Sequence, residues 1–264
     1  MIRVLFKGKR GIQVEEELVK KRFRELADKA YSSNTYTFTG FLGLAEISYF
    51  YELERELCYV PVTAFGGSES CERVILRFGS EELFGYVEDF PITCLKIQPL
   101  MQKFADDLSH RDFLGALMNL GIERSVLGDI IIKDNEGYLF CTNAIAPYIV
   151  ENLSRVKHTP VRCERAEDIP GKKEDLEKLT FQVSSERIDA VSSKVYRLSR
   201  SESIEYFRQK KVFVNGRLCE NNSYLLKEND MVTVRGFGKF IYTGSSGLSR
   251  KGKLNIEVFK YGAK

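Results

Sequence analysis

Histidine is scarce in this chain of 264 residues: His110 and His158 are its only two. They leave little from which to build a metal centre. Six cysteines stand at 58, 71, 94, 141, 163 and 219, and the nearest pair, Cys58 and Cys71, is 13 positions apart. That spacing excludes a Cys-x-x-Cys knuckle or redox pair. Scattered thiols with no export signal read as free core cysteines of a reducing compartment, so a cytoplasmic location is expected. The N-terminal stretch MIRVLFKGKRG carries charge where a signal peptide needs its apolar stretch. No apolar run approaches the 18 residues of a membrane span. Also missing are a Gly-x-Ser-x-Gly elbow, a Walker loop and a dinucleotide fingerprint. Gly236-Phe237-Gly238 is followed by a strand pattern where a phosphate-binding loop needs a helix.

What is there is a folded composition, with 43% hydrophobic and 29% charged residues, and length for two or three compact domains. The net charge of +3 says little until the chain is divided. Residues 180–264 hold 16 Lys+Arg against 8 Asp+Glu, a surplus of +8, while the preceding part carries −5. An acidic body joined to a basic C-terminal module points to an anionic partner at one end only.

The apolar positions Val14, Leu18, Val19, Phe23, Leu26, Ala27 and Ala30 recur on one helical face. A second helix is expected over 44–56, then strands over 57–65 and 71–78 joined through Gly66-Gly67-Ser68. Past Pro91, 92–97 reads as a strand. A helix starts at Ser109 with Asp112 as its capping partner and ends at Gly121. Strands over 130–133 and 138–141 flank an Asn135-Glu136-Gly137 turn. A helix capped by Thr142 or Asn143 tolerates Pro147 early and runs to Leu153, and a strand over 160–165 closes the series. The order βαββαβ is that of a ferredoxin-like split βαβ sheet, the RRM-like scaffold. Its third strand, Tyr138-Leu139-Phe140-Cys141, lacks the basic, glycine-rich character of a base-stacking strand, which favours core packing for its aromatics. The expected division of this α+β chain is an N-terminal α+β subdomain over 1–88, the ferredoxin-like domain over 89–168, a linker over 169–180 around Pro170-Gly171, and the basic module over 181–264.

In that module Ile188, Val191, Val195 and Leu198 lie at helical spacing. Ser199 and Glu202 form a Ser-x-x-Glu capping box for a second helix, and Val212 and Val214 lead into Asn215-Gly216, a strong hairpin signal. Basic residues gather near the element ends: Arg200, Arg208, Lys210, Lys211, Arg217, Arg235 and Lys239. Arginine forks fit phosphate oxygens and glycine lets backbone approach them. A solvated charged surface accounts for the same residues, and the pattern alone leaves both readings open.

Arg187-Ile188-Asp189, Ser199-Arg200, 210–216 (Lys-Lys-Val-Phe-Val-Asn-Gly) and 230–236 (Asp-Met-Val-Thr-Val-Arg-Gly) resemble the S4 (αL-type) RNA-binding domain over about 50 residues at matching mutual spacing. The family's usual Leu is Ile188 here and its usual Gly is Asn229, a residue that tolerates positive φ. Together with 110–117 (His-Arg-Asp-Phe-Leu-Gly-Ala-Leu), 121–124 (Gly-Ile-Glu-Arg) and Gly128-Asp129-Ile130, the chain resembles the YlmH family of bacterial S4-domain proteins, and 41–46 follows that family in part. The resemblance implies a non-enzymatic RNA-binding protein without a cofactor. It would dock on ribosomal RNA and tRNA of the large subunit in rescue or quality control of stalled complexes carrying peptidyl-tRNA, with a link to cell division by gene neighbourhood. The expected protein is a monomer without a membrane span or a small-molecule substrate.

Carried onto this sequence, the resemblance makes Arg187 an RNA contact or a brace for the first helix. Asp189 becomes the orienter of a neighbouring arginine, since a carboxylate repels phosphate. Ser199 and Arg200 stand at a helix start, where unpaired N–H groups favour phosphate. Arg208, Lys210 and Lys211 close that helix, and Asn215, Arg217, Arg235 and Lys239 complete the rim. A final hairpin over 240–243 and 253–259 would extend the basic surface with its 250–253 tip.

The enzymatic rivals lack their signatures. His110-Arg111-Asp112 has the letters of a kinase catalytic loop, but Asn119 is misplaced and no Asp-Phe-Gly follows. Asp106-Asp107 and Glu81-Glu82 are sequence neighbours that do not face each other on a helix. An S4-bearing pseudouridine synthase or rRNA methyltransferase is the alternative, yet there the S4 module usually precedes the catalytic domain. A tyrosyl-tRNA synthetase-like chain would need nucleotide-binding motifs that are missing.

Overall fold

The computed structural model describes residues 9–69, 71–170, 176–249 and 252–262. Seven α-helices and fourteen strands lie among them, in two compact units, residues 1–172 and 173–264.

In the first unit, α1 (Lys9–Ser33) precedes β1 (Thr37–Phe38), α2 (Leu44–Leu53), β2 (Val62–Phe65), β3 (Ile75–Phe78) and the short α3 (Glu81–Phe84). The apolar face of α1 buries Phe23, Leu26, Ala27 and Ala30 against Ile47, Phe50 and Leu53 of α2, as the 3.6-residue period requires. The strands form an antiparallel sheet in the order β1-β3-β2. The strand expected over 57–65 begins only at Val62. The N–H of Leu57 bonds the carbonyl of Leu53 at 2.9 Å, prolonging the turn of α2 and sinking Leu57 and Val60 into the helical core.

The same unit continues with β4 (Ile92–Pro99), α4 (His110–Asn119), β5 (Leu127–Lys133), β6 (Glu136–Thr142), α5 (Ala146–Asn152), β7 (Arg155–Val156) and β8 (Thr159–Arg165). The sheet order is β5-β6-β4-β8-β7, with every pairing antiparallel. Strand alternation sorts the side chains between two faces. Leu95, Ile97, Ile130, Leu139 and Cys141 pack with Phe113 and Leu117 of α4 and Ile149 of α5. On the other face Cys94, Ile131, Tyr138 and Phe140 pack with Phe41 and Ile75. The N-terminal segment therefore roofs this sheet. At α4, the Ser109 N–H and hydroxyl both donate to Asp112 Oδ2, at 2.9 and 2.6 Å. The start of α5 differs from the expectation: its N-cap is Ile145. Thr142 is held in β6 by pairing with Ile92 and is in the wrong place to cap a helix.

The second unit comprises β9 (Leu176–Val183), α6 (Ile188–Val195), α7 (Arg200–Arg208), β10 (Val212–Val214), β11 (Arg217–Leu218), β12 (Met231–Val234), β13 (Gly238–Leu248) and β14 (Leu254–Tyr261). One antiparallel sheet runs β11-β10-β12-β13-β14-β9. Residues 176–180, expected within the linker, are the first five of β9, paired along β14. Val212, Val214, Val232, Val234, Phe240, Tyr242 and Val258 alternate toward Ile188, Val191 and Val195 of α6 and Phe207 of α7. Asn215 and Gly216 take φ of 50° and 78° in the β10–β11 turn, the positive values a two-residue hairpin demands. Asn229 at φ 70° occupies the position of the missing glycine in the same left-handed region. The last hairpin, β13–β14, has irregular register between Tyr242 and Leu248. Of its expected basic tip, Arg250 and Lys251 lie outside the described residues.

Candidate nucleic-acid interface

The second unit draws its basic side chains together through a buried carboxylate. Asp189, in the first turn of α6, is 0% exposed. Its Oδ1 accepts Arg187 Nε at 3.0 Å and its own neighbour's Ala190 N–H at 2.8 Å. Its Oδ2 accepts Arg187 Nη2 at 2.8 Å and Asn222 Nδ2 at 3.4 Å. Arg200 Nε lies 3.9 Å from Oδ2. Arg187 and Arg200, whose side chains are 31% and 62% exposed, are thus gathered at one carboxylate although they open different helices. Donating to the Asp189 carboxylate holds the Arg187 guanidinium above its ordinary pKa. Ser203 Oγ donates to the Asp189 carbonyl at 3.1 Å and fixes the corner between α6 and α7.

The start of α7 is a reciprocal cap. The Glu202 N–H reaches Ser199 Oγ at 3.2 Å and the Ser199 N–H reaches Glu202 Oε2 at 2.8 Å. Hydrogen bonding from the Ser199 side chain, and then from its backbone N–H, holds the Glu202 carboxyl below its ordinary range. Ser199 Oγ also lies 3.1 Å from Ser201 Oγ, so the hydroxyl serves the helix.

Lys210 and Lys211 stand past the helix end, because α7 closes at Arg208 and Lys210 adopts φ 54° in the turn into β10. Lys211 Nζ lies 5.6 Å from the Tyr206 ring centre, and its carbonyl accepts the Arg235 N–H at 2.9 Å. Arg235 sits 5.2 Å from the centre of the Phe213 ring. Lys210 and Arg208 have acidic neighbours, Glu220 at 3.5 Å and Glu205 at 3.6 Å, all on the exposed surface. Pairs of that kind are weak and yield readily to a phosphate.

Two of the expected residues do other work or face elsewhere. Asn215 Nδ2 donates to Asp230 Oδ1 at 2.8 Å while its Oδ1 accepts the Met231 N–H at 2.9 Å. Both ends of its amide therefore serve the hairpin. Lys239 pairs with Thr233 across β12–β13 and alternates with buried Phe240. It lies on the sheet face away from α6 and α7, 4.1 Å from the Tyr261 ring centre. Arg217 is exposed in β11 opposite Val214. The structure thus joins Arg187, Ser199 and Arg200 on the helical side, with Lys211 reaching Tyr206 of α7. Arg235 over Phe213 stands on the opposite sheet face with Lys239, since Phe213 pairs with Thr233 and Thr233 with Lys239.

Sequence reasoning missed Asn222, which completes the Asp189 cage from 33 positions away, and Tyr206, the platform under Lys211. Only the Tyr206–Lys211 spacing was open to inspection. It also missed a cleft in the first unit. Arg111, Asp112, Gly115 and Asn119 of α4 face Asn152, Ser154, Arg155 and Lys157 across an opening of about 440 Å³. Its cations come from segments some forty positions apart, so no linear cluster announces them.

Comparison with known proteins adds relatives to this geometry. Residues 86–168 match a family described as "Putative RNA-binding domain in YlmH". That match lies in the first unit and includes none of the basic residues of the second. The chain is 30% identical over 193 residues to the "Ribosome-associated protein quality control protein P2" of Bacillus subtilis (strain 168), covering 72% of this chain and 74% of that protein. Among solved structures, the "Cell division protein ylmH from Streptococcus pneumoniae" superposes with a TM-score of 0.47 at 21% identity, covering 58% of this chain and 92% of that one.

Proposed function

The chain belongs to the YlmH family, and from that premise we propose that it is a non-enzymatic RNA-binding protein of the ribosome. It docks on ribosomal RNA, and on tRNA, of the large subunit through a C-terminal S4 domain over 181–264. Its role is rescue or quality control of stalled translation complexes, as a cytoplasmic monomer. The division into an N-terminal α+β subdomain (1–88), a ferredoxin-like domain (89–168), a linker from 169 and the S4 domain is part of the same reading. Separate apolar cores around Phe113 and Val191 support the boundary before the S4 domain, while the core around Phe23 belongs to an N-terminal part that shares a further core with the ferredoxin-like sheet.

The observation that carries the reading is the Asp189 carboxylate gripping Arg187 with Arg200 beside it. A buried anion that orients two guanidiniums at consecutive helix starts preorganises forked donors for phosphate. It does so beside the start of α7, whose helix dipole favours an anion, while the first N–H groups of α6 are already paired with Tyr224, Asn222 and Asp189. Lys211, over Tyr206 of α7, adds a cation beside the helices, and Arg235, over Phe213, adds one on the far face of the sheet. The name of the Bacillus relative supports the ribosomal assignment, and the description of the family matched at 86–168 supports RNA as the ligand.

Sedimentation with ribosomal subunits at two salt concentrations tests the reading. Wild type should co-pellet with large subunits at low salt and dissociate steeply as salt rises, because Lys and Arg release counterions from phosphate. Folded Arg200→Glu/Lys211→Glu should stay in the supernatant. Undiminished co-pelleting of that variant would sink the assigned surface. Transfer of a labelled methyl group to RNA, or conversion of uridine, would replace the binding module with a modification enzyme.

A further inference from the structure

A split βαβ unit that binds RNA ordinarily presents its sheet to the bases, with exposed aromatics on the central strands. In residues 86–168 that route is closed. Phe140 is 1% exposed, and it and Tyr138 pack under Phe41 and Ile75 of the N-terminal segment. Gly67 comes so near that a Cβ there would meet the Phe140 ring at 2.2 Å. No base can enter between them.

The opposite, helical side of this unit holds the cleft between α4 and the α5–β7 connection. Arg111, Arg155 and Lys157 line it and are exposed. Among the described residues, Arg111 and Arg155 have no ion-pair or side-chain hydrogen-bond partner. Several other cations of the unit are paired: Lys96 with Glu136 at 2.9 Å, Arg162 with Glu164 at 2.7 Å and Arg24 with Glu56 at 2.6 Å. The one carboxylate lining the cleft, Asp112, already receives two bonds from Ser109. Those bonds, with a smaller contribution from the charge of Lys157, hold it in the ionised form. Three cations against one engaged anion leave a positive cleft on an otherwise acidic body. Gly115 keeps its wall low, since nothing lies within 4 Å of where its Cβ would stand. Ser154 and Asn119 add neutral polar groups at the rim.

We propose that this cleft is a second RNA site, in which Arg111, Arg155 and Lys157 hold consecutive phosphates of an RNA backbone without reading its bases. The inference rests on the RNA-binding function proposed above and places a contact in the unit whose sheet is unavailable. Two forked guanidiniums and an ammonium, in a cleft with no aromatic side chain among the described residues that line it, suit backbone charge and leave sequence unread.

The test uses the full chain, a 20-base-pair RNA duplex and purified large ribosomal subunits. Arg111→Glu/Arg155→Glu should weaken binding to both probes about tenfold. It should also flatten the plot of log affinity against log salt by about two, with its melting temperature unchanged. In wild type, phenylglyoxal should modify Arg111 and Arg155 in the free protein and be blocked by the duplex, a readout that needs no variant. If the folded variant keeps its affinity and salt slope while Arg200→Glu/Lys211→Glu loses binding, the cleft is overturned and the S4 reading stands. If wild type binds neither probe, both readings fall. Loss of subunit binding with duplex affinity intact would assign the cleft to an acidic ribosomal protein and overturn it as an RNA site.

Discussion

Asp189 holds Arg187 with both carboxylate oxygens, at 3.0 and 2.8 Å, from a position that solvent does not reach. The two partners are not equivalent: the carboxylate is fully buried, while the guanidinium keeps about a third of its surface in water. Removing the arginine strands a buried anion, whereas removing the anion leaves a cation that water can still solvate.

That asymmetry gives a prediction in which order matters. Arg187→Met should destabilise the second unit by about 3 kcal/mol, the lower end for breaking a buried pair. Asp189→Asn should cost less, about 1–2 kcal/mol, because Asn can keep some of the hydrogen bonds. Urea unfolding followed by fluorescence of the tyrosines measures both. Equal losses, or a larger one for Asp189→Asn, would show that the pair is not organised around the buried carboxylate. Asp189→Asn should also weaken RNA binding, since Arg187 and Arg200 lose their common anchor.

Phe140 separates a packing role from a stacking role. Buried among Phe41, Ile75, Cys94 and Ile131, it should cost about 3–5 kcal/mol when truncated to Ala. RNA affinity, measured on the fraction that remains folded, should not change, whereas loss of a stacked base would cost about 1–3 kcal/mol in affinity. A calorimetric scan alongside an RNA titration distinguishes the two. A variant with normal stability and weakened binding would expose the sheet as an RNA surface.

These residues also show what could be read from sequence. Ser199 with Glu202, Ser109 with Asp112 and the Asn215-Gly216 turn are legible because their partners lie one to three positions away, and helix and hairpin geometry fix those distances. Phe140 was readable as a core residue by alternation. Its roof was not, because Phe41 and Ile75 arrive from the N-terminal segment by tertiary packing alone. The same holds for the candidate site. Arg187, Asp189 and Arg200 are visible as residue types, yet Asn222 completes their cage from a distant loop. The burial of Asp189, which decides its role, has no linear signature. Thr142 failed as a cap for a related reason: strand pairing with Ile92 outweighed its local capping preference.

The two capping carboxylates set a direction for acid sensitivity. Asp112 and Glu202 titrate below their ordinary values of 3.8 and 4.5, held down first by hydrogen bonds from Ser109 and Ser199. A carboxyl with a depressed folded pKa contributes stability that is fully present above its unfolded value. The contribution disappears as pH falls through the lower folded value. The caps should therefore be complete at pH 6 and fail below about pH 4. Ser199→Ala should cost about 1 kcal/mol at pH 6, and the gap between variant and wild type should narrow toward pH 3, where only the Glu202 N–H to Ser199 Oγ bond is left to lose. Thermal melts across that range check the sign. A gap that widened in acid would contradict the assignment.

Cysteine reactivity tests the packing of the first unit independently of RNA. Burial pushes the thiols of Cys94, Cys141 and Cys163 up to about 12. At pH 8 that leaves about one molecule in ten thousand as the thiolate that reacts. The thiols are also enclosed by the sheet cores, so reagent must wait for the unit to open. Cys58 is exposed, and Cys71 is partly covered with its sulfur 3.3 Å from Ser68 Oγ. Native protein treated with iodoacetamide at pH 8 should label at Cys58 first and Cys71 more slowly. Cys94, Cys141 and Cys163 should label only on the time scale of unfolding, which peptide mapping resolves. Phe140→Ala should bring Cys94 forward, because the two side chains share one core, while Cys163 on the opposite face should gain less. Equal acceleration of both would mean that the roofed face and the helical face open as one, and that the N-terminal segment cannot lift from the sheet by itself.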